Sequence, residues 1–134
     1  HIGIAVESLE GGSTFWRLLG LSEHGEDELV EDQGVTTRFF STNVASEDDH
    51  PTQIELLEPT STDTPIGKFL VKKGKGVQQI CFRVGDLNGL IAHLIEHDIL
   101  MIDTVPRKGA GGKMIAFVHP KSTGGVLVEL TQAA

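Results

Sequence analysis

Apolar residues follow two different periods along the chain, and the periods succeed one another twice in the same order. His1-Ile-Gly-Ile-Ala-Val6 alternates as a half-buried strand does; after Glu7-Ser8-Leu9 an amphipathic stretch runs to Leu19, where Gly20 stops it. Gln79-Ile-Cys-Phe-Arg-Val84 is a second such strand, and Gly85-Asp86-Leu87 leads into a helical face of Leu90, Ile91, Leu94 and Ile95 that ends near His97. Without a gap, Val6 aligns with Val84, Leu9 with Leu87 and Gly11 with Gly89. The ends of the halves match as well, since Gln53-Ile-Glu-Leu-Leu57 and Leu127-Val-Glu-Leu-Thr131 are alternating strands with a carboxylate at the centre.

Between start and end each half has room for two more strands, near 22–32 and 34–41 and again near 99–104 and 113–119. The expected fold is therefore α+β, two fused βαβββ modules in one domain over residues 1–134. Module one covers about 1–59 and module two about 77–132. The linker, about 60–76, holds a Ser/Thr/Asp/Pro-rich run from Pro59 to Pro65 and a short helix around Ile66–Val71. The acidic stretch Ser46–His50 reads as a solvated turn, and Phe15 and Trp16 as core.

Strand parity then sorts the side chains, because residues two apart share a face. Ile2, Ile4 and Val6, Ile54 and Leu56, Ile80, Phe82 and Val84, and Val128 and Leu130 are assigned to the helix-covered side. The opposite side then receives His1 over Gly3 and Ala5, Glu55 between Gln53 and Leu57, Gln79 with Cys81 and Arg83, and Glu129 between Leu127 and Thr131. Curved sheets of this kind would line a concave cavity with these second faces. One imidazole, two carboxylates and an amide suit a divalent first-row metal, and the lack of thiolate pairs argues against a structural zinc site. The plain alternative, polar residues on the solvent side of antiparallel strands, is weakened by their recurrence at corresponding positions of a repeat.

Charge and composition narrow the partners. With 134 residues and 39% hydrophobic content the chain can bury one core. A net charge of −8 opposes non-specific nucleic-acid binding. The balance is uneven: residues 1–49 carry Arg17 and Arg38 against eleven acids, whereas 50–134 carry nine bases against eight. A local anion site in the second half, among Lys68, Lys72, Lys73, Lys75, Arg107, Lys108, Lys113 and Lys121, is compatible with this. Apolar runs fall short of the roughly 20 residues that span a bilayer, and Cys81 is alone, so a soluble cytoplasmic protein without membrane attachment is expected. Gly109-Ala-Gly-Gly112 lacks the Lys-Ser/Thr of a phosphate loop and reads as a mobile rim. His93 and His97 read as helix-surface positions, His119 as a loop residue.

His1-Ile-Gly-Ile-Ala-Val6, Ile54-Glu-Leu-Leu-Glu-Pro59, Thr64-Pro-Ile-Gly-Lys-Phe-Leu70, and Phe117-Val-His-Pro-Lys121 with Gly124-Gly-Val-Leu-Val-Glu-Leu130 resemble the methylmalonyl-CoA epimerase family of the vicinal-oxygen-chelate superfamily. The resemblance implies a homodimer that acts on an acyl-CoA thioester. It also implies metal ligands at His1, Glu55, Gln79 and Glu129, holding Co, Mn, Ni or Zn. His1 and Glu129 match the family's residue types, position 55 is often Gln there, and position 79 is usually the second His of a His-His pair where this chain has Gln78-Gln79. Thr37 stands where some members place a catalytic Glu. The implied chemistry is C2 proton abstraction through an enolate, with Glu129 and Glu55 as acid/base pair and Lys113 and Lys121 at the CoA. Two relatives of the same fold are the alternatives, a glyoxalase I-type lactoylglutathione lyase and a metal-free drug-binding module of the bleomycin-resistance type. An extradiol dioxygenase is disfavoured, because its facial triad needs two histidines.

Overall fold

The strand–helix start is built twice with the same hydrogen bonds. In the computed structural model, which describes residues 1–42 and 50–133, the chain forms two compact units, His1–Gln78 and Gln79–Ala134. The acidic stretch from Ser46 lies, His50 apart, outside the described residues.

In the first unit β1 (Ile2–Ala5) leads into α1 (Leu9–Leu18), then β2 (Ser22–Glu23), β3 (Glu28–Val30), β4 (Val35–Ser41) and β5 (Ile54–Pro59). Ser8 caps α1 by accepting from the Gly11 amide at 3.1 Å, satisfying an amide the first turn leaves open. β1 lies parallel to β5 with Gly3 opposite Glu55, and β4 runs antiparallel to β5 with Phe39 opposite Glu55. Val6, Leu9, Phe40 and Leu56 form a core between helix and strands, with Ile4, Trp16, Leu21 and Ile54 against it. That is the helix-covered side that parity assigns. Phe15 departs from expectation: Leu9 and Ser13 hold the inner face of α1, and Phe15 projects into solvent.

The segment that joins the units carries α2 (Pro65–Lys73), capped by the Thr64 hydroxyl, with Pro65 at its first position, where a missing N–H costs nothing. A Cβ on Gly67 would come within 2.2 Å of the Ser61 carbonyl oxygen, so only glycine lets α2 approach that turn.

β6 (Gly76–Arg83) feeds the second unit, followed by α3 (Leu87–Glu96), β7 (Arg107–Lys108), β8 (Met114–Val118) and β9 (Val128–Gln132). Asp86 caps α3 through the Gly89 amide at 3.0 Å, as Ser8 does for α1. β6 is parallel to β9 with Cys81 opposite Glu129, and β8 antiparallel to β9 with Phe117 opposite Glu129. Leu87, Ile91, Met101, Ala116, Val118 and Leu130 make the core. Each unit is thus a βαβββ module, the mixed sheet and helices of a glyoxalase-type α+β fold. Among the described residues no helix is long and apolar enough to cross a membrane.

The segments near 22–32 and 99–104 are not continuous strands. The first divides into β2 and β3 around Gly25, which sits at φ +78°. In the second, Met101 makes one isolated bridge to Val118 before Asp103 breaks the ladder. The Asp103 carboxylate takes the Phe117 amide at 2.8 Å, replacing the carbonyl that a continuing strand would offer. Phe82, assigned to the covered side, is 55% exposed, because the inner face of α3 packs over β8 and β9 and leaves that end of β6 uncovered.

Candidate active site

The polar sides of the strands were expected to carry the chemistry, and in each unit they carry buried polar groups. In the first unit, Glu55 lies mid-strand between Ile54 and Leu56, which face the core, so its side chain must point the other way. It is only 3% exposed. Gly3, its register partner on β1, has no side chain to fill the space. His1, just ahead of β1, places Nε2 3.2 Å from Glu55 Oε1, and its ring stands edge-on to Phe39 with centroids 5.4 Å apart. The main chain after it is anchored by the Ile2 amide, which donates to the Gln53 carbonyl at 3.0 Å. Burying a carboxylate is costly unless something partners it, and the imidazole is such a partner.

Thr37 is a group that sequence reasoning passed over as a departure from family pattern. It shares the Phe39 face of β4, is 2% exposed, and its Oγ1 has no hydrogen-bond partner among the described residues. A buried hydroxyl without a partner is a site where a bound group can donate or accept.

The second unit repeats the plan with different chemistry. Gln79, Cys81 and Glu129 are all buried, and Cys81 is the register partner of Glu129. Gln79, at 4% exposure, has an Oε1 without a partner among the described residues. Phe117 lies across from Glu129 as Phe39 does from Glu55. Arg107 was not singled out from the sequence, yet its guanidinium lies 5.7 Å from the Phe117 ring centre, in cation–π range, with Nε 3.2 Å from Asp103 Oδ1. A cation beside the strand position that faces Glu129 follows from the break at Asp103, which no periodicity announces.

Lys113 and Lys121 lie apart from these buried groups in sequence and are exposed. Lys113 closes the 3₁₀ turn Ala110–Gly112, whose Gly111 and Gly112 both sit at φ +69°. Lys121 lies in the turn Pro120–Ser122, its amide donating to His119 Nδ1 at 3.0 Å.

A charged network lies on the helix-covered side of β4. Arg38 donates to both oxygens of Asp27, at 2.8 and 2.7 Å, and to Glu10 and the Ser13 hydroxyl. The hydrogen bonds from Arg38 hold the Asp27 carboxyl below its usual range, and Asp27 in turn raises the guanidinium's pKa. This network ties α1 to the β2–β3 turn and is structural.

A model of the Glyoxalase/Bleomycin resistance protein/Dioxygenase superfamily matches residues 1–117. The chain is 40% identical over 133 residues to the uncharacterized protein YqjC of Bacillus subtilis, covering 98% of this chain and 89% of that protein. It is 36% identical over 134 residues to the mitochondrial methylmalonyl-CoA epimerase of Bos taurus, covering 99% and 73%. Among solved structures, a Streptomyces coelicolor methylmalonyl-CoA epimerase variant in complex with 2-nitronate-propionyl-CoA superposes with a TM-score of 0.91 at 36% identity, covering 100% of this chain and 92% of that one. A methylmalonyl-CoA epimerase in complex with methylmalonyl-CoA and NH4+ gives the same TM-score, 0.91, with the same identity and coverage, 36%, 100% and 92%. The chain belongs to the Glyoxalase/Bleomycin resistance protein/Dioxygenase superfamily and, within it, to the methylmalonyl-CoA epimerase family of isomerases.

Proposed function

We propose that this protein epimerises methylmalonyl-CoA, or a similar short-chain acyl-CoA, at C2. The observation that carries this reading is the pair of buried glutamates, one per unit, at the same register of a parallel strand pair: Glu55 opposite Gly3 and Glu129 opposite Cys81. Inverting a carbon centre by proton transfer needs a group that removes a proton from one face and a group that returns one to the other. Two carboxylates on repeated scaffolds supply both. Epimerase relatives over nearly the whole chain, and a superposable relative in complex with methylmalonyl-CoA, support the substrate class.

In the proposed reaction Glu129 takes the C2 proton. The C–H electron pair moves into the C1–C2 bond, and the thioester carbonyl becomes an enolate. Glu55, steered by His1, returns a proton to C2 from the other face as the carbonyl reforms. The proposed metal ligands are His1 and Glu55 from the first unit and Gln79 and Glu129 from the second, and either glutamate would have to loosen its hold on such an ion to take or give the proton. The donor set fits a divalent ion of the cobalt, manganese, nickel or zinc kind, because it is one imidazole and three oxygen donors, and the Gln79 amide oxygen is buried with no partner among the described residues. Such an ion, when bound, supplies Lewis-acid stabilisation of the negative charge that develops on the thioester oxygen. Lys113 and Lys121, exposed cations on turns of the second unit, are the proposed contacts for the CoA phosphates.

The test is exchange of the C2 proton of methylmalonyl-CoA with solvent deuterium, followed by mass spectrometry with divalent metal supplied. Wild-type protein should exchange it, and Glu129→Gln should lose exchange while retaining metal. No exchange by wild-type protein with any first-row divalent ion would overturn the reading. Replacing Lys113 and Lys121 should weaken CoA-ester binding and flatten its salt dependence.

A further inference from the structure

Helix α3 carries a cluster of side chains able to ligate a metal, outside those used in the proposed isomerase chemistry. His93, Glu96 and His97 each offer a ligand atom, and these atoms all lie within 4.8 Å of one another on the exposed face of the helix. Spacings of three and four residues bring such side chains over one another on a single helix face, which is how one helix can present several donors to one ion. The two imidazole rings are 4.5 Å apart between centroids.

The protonation pattern also suits ligation. His97 Nδ1 lies 2.9 Å from the His93 carbonyl oxygen. A carbonyl can only accept, so Nδ1 carries the hydrogen, and in the neutral ring the lone pair is left on Nε2. A backbone carbonyl that receives the non-ligating nitrogen is the usual device for orienting a metal-binding histidine. The cluster occupies the last turn of α3, where His97 is the C-cap and its amide bonds back to the His93 carbonyl. Positive charge is favoured there by the helix dipole and the open carbonyls.

From this we infer that His93, Glu96 and His97 form a surface site for a divalent transition ion of the zinc, nickel or copper class, separate from any ion of the isomerase chemistry. Two ligands on a tetrahedral ion stand about 3.4 Å apart for metal–ligand bonds near 2.1 Å. Exposed side chains close the remaining distance by turning about their own bonds, with no movement of the helix. Two imidazoles with one carboxylate leave water in the fourth position, and the bound ion clamps the end of α3 against fraying.

The experiment is a titration of the full chain with nickel chloride, read residue by residue from amide NMR signals. Paramagnetic broadening should centre on residues 93–98 in wild-type protein, wherever else nickel also binds. His93→Ala and His97→Ala should each weaken that local response about tenfold or more, as loss of one of three ligands requires, and Glu96→Gln should weaken it less. All three positions are exposed, so the variants should keep the wild-type circular dichroism, and C2 exchange should be unchanged in them. Absence of local broadening at millimolar nickel, or an unchanged response in both histidine variants, would overturn the site. A failure of C2 exchange in wild-type protein would leave this result standing.

Discussion

The two units share a scaffold of hydrogen bonds but not a set of side chains. The Val6 amide donates to the Leu57 carbonyl at 3.0 Å, and its counterpart Val84 donates to Thr131 at 2.8 Å. The first amide of α1, at Leu9, is taken by the Glu58 carboxylate at 3.0 Å, and the first of α3, at Leu87, by the Gln132 amide oxygen at 2.6 Å. Even the broken second strand is repeated, since Glu23 pairs with Phe40 as Met101 pairs with Val118. On this common frame Glu55 and Glu129 correspond, as do Phe39 and Phe117, whereas His1 corresponds to Gln79, and Thr37 to Ile115. What the repeat keeps is what folds each module. His1 against Gln79 and Thr37 against Ile115 are varied positions on the face away from the helix.

That comparison can be broken most directly at its two glutamates. If they serve opposite faces of one carbon, Glu129→Gln should lower C2 exchange by about 10²–10⁴-fold and Glu55→Gln should lower racemisation by a similar factor while sparing exchange from the Glu129 side. Chiral analysis of deuterated product separates the two; equal loss of both signals in both variants would reduce the pair to metal ligation. Next in size, Gln79→His gives the second unit the imidazole of the first. It should tighten cobalt or nickel binding by about tenfold in calorimetry, because imidazole is the better donor for these ions.

A smaller effect should come from the Arg38 network of the first unit. Arg38→Met removes the partner of Asp27 and should cost about 1 kcal/mol in urea unfolding at pH 7, a figure held down because the Asp27 side chain is 38% exposed. The folded-state pKa of Asp27 is depressed, so its contribution is present above the ordinary carboxylate value and is lost as pH falls through the depressed one. The difference between wild type and variant should therefore narrow below about pH 4. An effect no larger tests equivalence itself: Ser8→Ala and Asp86→Ala remove corresponding caps and should each cost about 1 kcal/mol by thermal unfolding. Markedly unequal costs would show that the same hydrogen bond does different work in the two units.

Local pattern in the sequence determined the βαβββ order and the sides on which Glu55, Gln79 and Glu129 stand, because period-two alternation acts over a few residues. The resemblance to a family, carried by motifs such as His119-Pro-Lys121, points to an acyl-CoA isomerase from the sequence alone. Tertiary structure alone decided that Phe82 and Phe15 face solvent, that the ladder stops at Asp103, and that Arg107 lies on Phe117. It also decided that the Thr37 hydroxyl is buried without a partner among the described residues. Each of these depends on where a helix covers a sheet or on which distant carboxylate reaches an amide first. Such outcomes are settled by competition between segments far apart in the chain, and a local pattern contains no record of the competitor.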